Sequence, residues 1–288
     1  MAAQNVLKDP EYVTPGAGKG LLDIFGRRYL LSLLLRKGMR TRYYGSLLGW
    51  LWSYLRPAAQ FLMYFLVIGV ILKVNRGVPV FPVYLFAGIV AVNLFSEVLR
   101  NTTGSITDNS SLVRKIYFPR ELFPVAATGV ALIHFLPQAL LLIVVGLFLG
   151  WTVGWLQIFA FVAGMAIIVL FALGLGLLFG AINVSYRDSK NIVDIILMFS
   201  TWASPVLYSW EMVYDRAPTW LFDLYMLNPM TTAVELFHDA FWLPLVPDAA
   251  RPENLLLNTG LGFLIALGTL FIGQLVFRRL EVNFAQNL

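Results

Sequence analysis

Six apolar stretches, at residues 50–72, 80–99, 122–149, 155–182, 192–208 and 255–277, leave this chain of 288 residues few ways to fold. Most hold the ~20 residues that a helix needs to cross a bilayer, and the one at 192–208 sits at the lower limit of ~17. In lipid, every backbone N–H and C=O must be satisfied internally, which only helices and closed barrels achieve. Ala139-Leu140-Leu141-Leu142-Ile143-Val144-Val145 is a continuous apolar run, not the alternating pattern of a barrel strand. The expected fold is an all-α membrane protein with six transmembrane helices. Apolar residue types at 59% and a mean hydropathy of +0.74 lie beyond the ordinary globular range.

The basic residues orient the bundle. Of the 21 Lys and Arg, all but Lys73, Arg76, Arg216 and Arg251 fall on one side of the six stretches. They cluster before and at the first stretch (Arg27, Arg28, Arg36, Lys37, Arg40, Arg42 and Arg56 among them), in the second loop, in the fourth loop and in the tail. By the positive-inside rule both termini are cytoplasmic. The expectation is a membrane crossed several times, and the net charge of +5 then suits an anionic inner leaflet and not nucleic acid.

The chain has no cysteine, which excludes disulfides and thiolate metal sites. Its first twenty residues are polar and proline-containing, and no cleavable signal peptide is expected before the first span. The expectation is a flexible cytoplasmic N-terminus over 1–20 and a single transmembrane domain over 21–288, with no separate soluble domain.

Three segments outside the spans carry structure of their own. Residues 21–44 hold an apolar centre too short to cross a membrane, bracketed by Arg27-Arg28 and Arg36-Lys37, and read as an interfacial helix or as a solvated basic arm. Residues 101–121 are polar: Asp108 or Asn109 can cap a short helix running through Lys115 to Tyr117, and Pro119 ends it. That helix is a docking element or a plain connector. Residues 209–254, on the outer side, carry two apolar pieces at 220–227 and 233–245 broken by Pro229 and Pro244. Such pieces suit short re-entrant helices before the last span, or an extracellular cap.

Reactive chemistry is scarce. Gly16-Ala17-Gly18-Lys19-Gly20 lacks the spacing and the hydroxyl of a phosphate-cradling loop, so the chain is not expected to bind or hydrolyse ATP. The two histidines, His134 and His238, form no metal-ligand pattern, and no catalytic residue can be nominated. His134 lies mid-span, where an ionisable side chain is a functional candidate or a neutral imidazole bonded to a neighbouring helix. Formal charges within the spans (Arg56, Glu97, Arg100, Asp194) all lie near inner ends, which argues against an ion pump.

Aromatics reach 15%, and Tyr54, Phe61, Tyr64, Phe65, Trp202 and Tyr208 fall inside spans. They are packing and interfacial anchors, or rings lining a path for an amphipathic chain such as a sugar polymer. The spacings Gly45-xxx-Gly49 and Gly176-xxx-Gly180 permit close helix contact.

Several segments together resemble one family. Arg42-Tyr43-Tyr44-Gly45-Ser46-Leu47-Leu48-Gly49-Trp50-Leu51-Trp52-Ser53-Tyr54-Leu55-Arg56-Pro57 resembles the entry to the first span in permease subunits of polysaccharide ABC exporters. Lys115-Ile116-Tyr117-Phe118-Pro119-Arg120-Glu121-Leu122-Phe123-Pro124 resembles the segment between their second and third spans. Tyr186-Arg187-Asp188, Ser204-Pro205-Val206-Leu207-Tyr208 and Asn228-Pro229 fit the same pattern. The resemblance covers nearly all of the chain beyond its first twenty residues.

The resemblance implies a homodimer that works with a separate ABC ATPase subunit, which would hold MgATP, and a cargo of polysaccharide on a polyprenyl diphosphate lipid. It implies an ATPase-coupling helix and its surroundings at Asn109, Leu112, Arg114, Lys115, Tyr117, Arg120, Glu121 and Arg187. A channel of aromatic faces would comprise Tyr54, Phe61, Tyr64, Trp202 and Tyr208. Arg28, Arg40, Arg42 and Arg56 would hold the lipid diphosphate at the entrance, since a guanidinium pairs with phosphate bidentately. A permease for a drug or small lipid, and a membrane enzyme acting on polyprenyl-linked sugars, remain open on the residues alone.

Overall fold

The computed structural model describes residues 20–42, 44–115 and 119–288. The reading of 1–20 as flexible, and the coupling role of Tyr117, fall on residues outside these, Gly20 apart. The described chain is all-α. A 3-10 segment (Gly20–Gly26) precedes α1 (Arg28–Arg42); α2 (Trp52–Tyr64) continues as a π-helical stretch (Phe65–Ile71). Then come α3 (Phe81–Gly104), α4 (Ser110–Lys115), α5 (Leu122–Phe148), α6 (Trp155–Ser185), α7 (Ser189–Trp202), α8 (Trp210–Tyr214), α9 (Thr219–Leu227), α10 (Pro229–Phe241), α11 (Leu255–Glu281) and α12 (Phe284–Asn287).

Among the described residues, five segments are long and apolar enough to cross a membrane: Gly49–Ile71, Phe81–Gly104, Leu122–Phe148, Trp155–Ser185 and Leu255–Glu281. The remaining expected span, 192–208, is not one continuous helix. α7 starts earlier, at Ser189, and stops at Trp202 after 14 residues, ~21 Å at the usual rise. Pro205 cannot donate the backbone bond that would carry the helix on. Residues 203–208 instead tuck inward, with Val206 and Leu207 buried and the Tyr208 hydroxyl donating to the Trp202 carbonyl at 2.6 Å.

The hub is α3, which packs against α5, α6, α7 and α10 and is buried along most of its length. Small residues let its neighbours close in. A Cβ on Gly176 of α6 would lie 2.5 Å from the Thr102 side chain, and one on Gly180 3.2 Å from the Thr102 carbonyl. The expected small-residue contact at 176–180 is therefore the α6–α3 crossing. A second crossing joins α6 to α11 where Gly174 faces Gly273, backbone to backbone, with no room for a Cβ on either. At Gly45 and Gly49, by contrast, a Cβ would meet nothing within 4 Å among the described residues. Both have positive φ (+76° and +46°) and turn the chain between α1 and α2.

On the other side of the hub, the 209–254 segment folds as three short helices. Pro229 opens a helix where the sequence reading had it only as a break: it occupies the first turn of α10, and the Asn228 side chain caps that turn by accepting from the Met230 N–H at 3.0 Å. All 13 residues of α10 are buried. α8 and α9 stay more exposed, with Tyr214, Trp220 and Leu224 on the surface. α1 lies along α5, its Leu35 against Gly129 and its Gly38 against Val130, and buries none of its own residues.

Candidate functional site: a polar cavity among α1, α2, α3 and α5

Each of four helices turns one polar stripe toward a common space. On α3 the stripe is Asn93, Ser96, Glu97, Arg100 and Asn101, the spacing of a single helical face. On α2 it is Ser53, Arg56, Pro57 and Gln60; on α1, Leu34, Lys37, Gly38, Thr41 and Arg42. α5 contributes Phe123, Ala126, Ala127 and Val130 and, further along the same face, the polar His134 and Gln138. The space they enclose is a cavity of about 830 Å³. Polar side chains inside an apolar bundle are costly unless they face partners or water, so four aligned stripes keep such a cavity open.

The cavity has two chemically distinct ends. Its mouth holds Lys37, Arg42, Arg56, Arg100, Glu97 and Asp108, and borders the turn that leads into α4. There Arg42 forms an ion pair with Glu97, whose side chain is only 16% exposed. Arg100 pairs with Asp194 of α7 at 2.9 Å, and Arg56 lies over the Trp52 ring. The deep end is neutral: Gln60, Asn93, His134 and Gln138. Asn93 donates to Gln138 at 3.2 Å, and Ser53 Oγ lies 3.3 Å from His134 Nδ1, so the mid-span histidine bridges α5 to α2 as a cavity wall.

The mouth is tied to α4. Lys37 donates to the Asn109 side chain at 2.6 Å, and Lys190 of α7 pairs with Asp108 at 3.3 Å. The sequence offered Asp108 or Asn109 as a cap for α4, and the Asn109 side-chain oxygen accepts from Lys37. The Asn109 amide turns back to the Ser105 carbonyl at 2.8 Å, because residues 107–109 form their own 3-10 turn. On α4, Arg114 and Lys115 are exposed while Val113 packs into a cluster with Phe123, Leu177 and Phe277, and Leu112 lies half-buried against it. Arg187 is exposed nearby in sequence to Lys190.

Arg120 and Glu121 take a different place. Both are buried: the Arg120 guanidinium donates to the Glu281 carbonyl and lies over the Phe284 ring, and Glu121 accepts from Gln274 at 3.1 Å. They fasten the end of the loop to α11. Of the four entrance arginines, Arg42 and Arg56 line the cavity, while Arg28 and Arg40 are exposed on α1 away from it. The aromatic set also divides. Phe61 and Tyr64 pack on the core, Phe61 meeting Phe86 edge-on at 5.6 Å; Tyr54 is half-buried; Trp202 is exposed on α7, and Tyr208 is tied back to it. α2 packs on α3 and α5, and α7 on α3 and α6, so one copy of the chain holds these rings on separate sides of the hub.

The 209–254 segment gathers a second cluster of titratable groups. Glu235, His238 and Asp239 lie on α10, with His238 Nε2–H donating to the Tyr84 carbonyl at 3.1 Å and its ring stacked on Tyr84 at 3.8 Å. Arg251 meets Asp239 at 3.1 Å. The void beside them is about 10 Å³, room for one water, so this cluster is packed and not a substrate site.

Residues 29–242 match the family described as ABC-2 type transporter. The chain belongs to this family. Over 227 residues it is 30% identical to an O-antigen export system permease protein RfbA of Myxococcus xanthus, covering 79% of this chain and 85% of the relative. It is 25% identical over 263 residues to a protein of the same name from Klebsiella pneumoniae, covering 90% and 95%. It is 24% identical over 255 residues to the polysialic acid transport protein KpsM of Escherichia coli, covering 87% and 92%. As an ABC-2 type transporter the chain is a multi-pass membrane permease, and membership implies an ABC ATPase as partner.

The neutral polar stripe is what sequence reading missed. Attention to formal charge found Glu97 and Arg100 but passed over Asn93, Gln60 and Gln138. The signal was present on α3, where Asn93, Ser96, Glu97, Arg100 and Asn101 recur at helical spacing inside an apolar run.

Proposed function

We propose that this chain is the membrane subunit of an ATP-driven exporter that moves a polysaccharide carried on a polyprenyl diphosphate from the cytoplasm to the outer side of the bacterial inner membrane. The observation that carries the reading is the cavity, basic at its mouth and neutral within, whose mouth is bonded to the α4 turn. Arg42 and Arg56 hold the diphosphate there; a guanidinium offers two parallel donors to a phosphate where an ammonium offers one point of charge. Both termini lie in the cytoplasm, and α4 presents Arg114 and Lys115 to the ATPase.

Transport then runs through contacts already in place. Movement of the ATPase shifts α4; the Lys37–Asn109 and Lys190–Asp108 bonds pass that shift to α1 and α7, and α1 is a wall of the cavity. Two copies complete the path, with the exposed apolar faces of the first and last spans available to the second copy. Aromatic faces, including Trp202, line the way for sugars. The relatives' names, two for O-antigen export and one for polysialic acid, support a glycan cargo.

The test is co-purification with the candidate ATPase, followed by ATP turnover with and without lipid-linked glycan. The chain alone should show no turnover, and the complex should be stimulated several-fold by the glycolipid. A complex indifferent to glycolipid, or turnover by the chain alone after every contaminating ATPase is removed, contradicts the reading.

A further inference from the structure

We propose that the deep end of the cavity is a sugar-binding site, formed by Gln60, Asn93 and Gln138, that reads the first sugar of the cargo. The proposal rests on the reading of the mouth as a diphosphate seat and adds to it a determinant of which glycan is accepted.

Three observations carry it. First, three carboxamides from three different spans line one space. A carboxamide both donates and accepts, as do sugar hydroxyls and the acetamido group of an amino sugar. Second, Asn93 and Gln138 satisfy each other with only one bond at 3.2 Å, and Gln60 makes no hydrogen bond among the described residues. Polar capacity is thus held in reserve inside an apolar bundle, where leaving it unmet is costly. Third, the depth is right in two helices independently. Asn93 lies one turn deeper than Glu97 and two turns deeper than Arg100, or ~6 and ~10 Å, and Gln60 lies ~6 Å deeper than Arg56. With phosphates at the arginines, the next ring falls among the amides.

The volume sets the scope. About 830 Å³ suits a small head group and not a long polymer. The site therefore reads the reducing end, the part attached to the lipid, and leaves the rest of the chain unexamined.

The experiment compares two probes on the full-length chain in lipid nanodiscs: polyprenyl diphosphate, and the same lipid bearing one N-acetylhexosamine. The readout is the ratio of the two affinities on one preparation, which a loss of active protein does not move. The wild type should prefer the sugar-bearing lipid by ~10-fold, as two or so neutral hydrogen bonds would give. Gln60→Leu breaks no internal bond and should cut that ratio ~3–10-fold. The pair Asn93→Leu with Gln138→Leu removes both members of a bond together, orphaning neither, and should abolish the preference. Equal binding of both lipids by the wild type, or an unchanged ratio in the variants, overturns the sugar site while leaving the diphosphate seat standing. Failure of the wild type to bind either lipid overturns both.

Discussion

The cavity and helix α10 are both polar islands in an apolar bundle, and they solve the same problem in opposite ways. Around α10, the polar groups are packed against protein, with His238 3.5 Å from Glu235 and Arg251 meeting Asp239. Tyr84 gives its hydroxyl to the Pro205 and Tyr208 carbonyls, stacks on His238, and leaves room beside the cluster for about one water. In the cavity, the polar groups face open space, and the closest pair, Arg42–Glu97, is one that an incoming anion could exchange. A titratable cluster marks function only when something can reach it. Here the cluster richest in His and carboxylates is the structural one.

The comparison breaks first at Tyr84. Tyr84→Ala should cost ~3–5 kcal/mol, the scale of deleting a buried aromatic, and should remove most folded protein. Tyr84→Phe, which removes the one hydroxyl proton shared between two carbonyls, should cost ~1–3 kcal/mol. Thermal unfolding in detergent measures both, and tolerance of Tyr84→Ala would mean α10 is not held as described.

Charge reversal sharpens the other side. Arg42→Glu should lower export at least tenfold, and because it sets a second carboxylate beside the mostly buried Glu97 it should also lower folded yield, which is scored separately. The swap Arg42→Glu with Glu97→Arg restores the pair; restored export would make it a structural clamp, whereas continued failure keeps Arg42 as an anion ligand. Reversal of Arg114 and Lys115 together should release the ATPase and leave insertion intact, as read by co-purification.

The smallest expected effect lies at the outer rim. Burial pushes the Asp239 carboxyl up from its ordinary range, and the Arg251 guanidinium draws it back. A carboxyl raised in the folded state stabilises below its unfolded value and loses that contribution as pH rises through the folded value. Arg251→Ala removes the opposing charge, so the variant's unfolding temperature should fall further below wild type as pH rises from 4 to 7. The loss should stay under ~1 kcal/mol for so exposed a partner.

The apolar lengths made the bundle legible in the sequence, since hydrocarbon admits few alternatives. The chain's turns were less so. Pro229 looks the same whether it ends one helix or begins the next, and only the Asn228 cap decides. The 192–208 stretch reads as a span because Val206, Leu207 and Tyr208 are apolar, yet Val206 and Leu207 are buried against protein and none of the three is carried on a helix. Arg114 and Arg120 sit six residues apart in one polar loop, but one is exposed and the other fastened under α11, a division set by distant Glu281 and Phe284. Neutral cavity residues escape a search for charge, because Gln60, Asn93 and Gln138 each look like a lone polar residue until three helices bring them together.

The central claim is that cargo enters the inner cavity. The chain has no cysteine, so a single one placed at Ser96, on the cavity wall, reports on that space alone. Its labelling by a small thiol reagent should be measured in membranes that accumulate the lipid-linked glycan and in membranes that cannot make it, with a cysteine at the buried Thr231 as the packed control. The account predicts rapid labelling at position 96 without glycan, strong protection with it, and no labelling at 231 in either case. Equal labelling at position 96 with and without the glycan would contradict it.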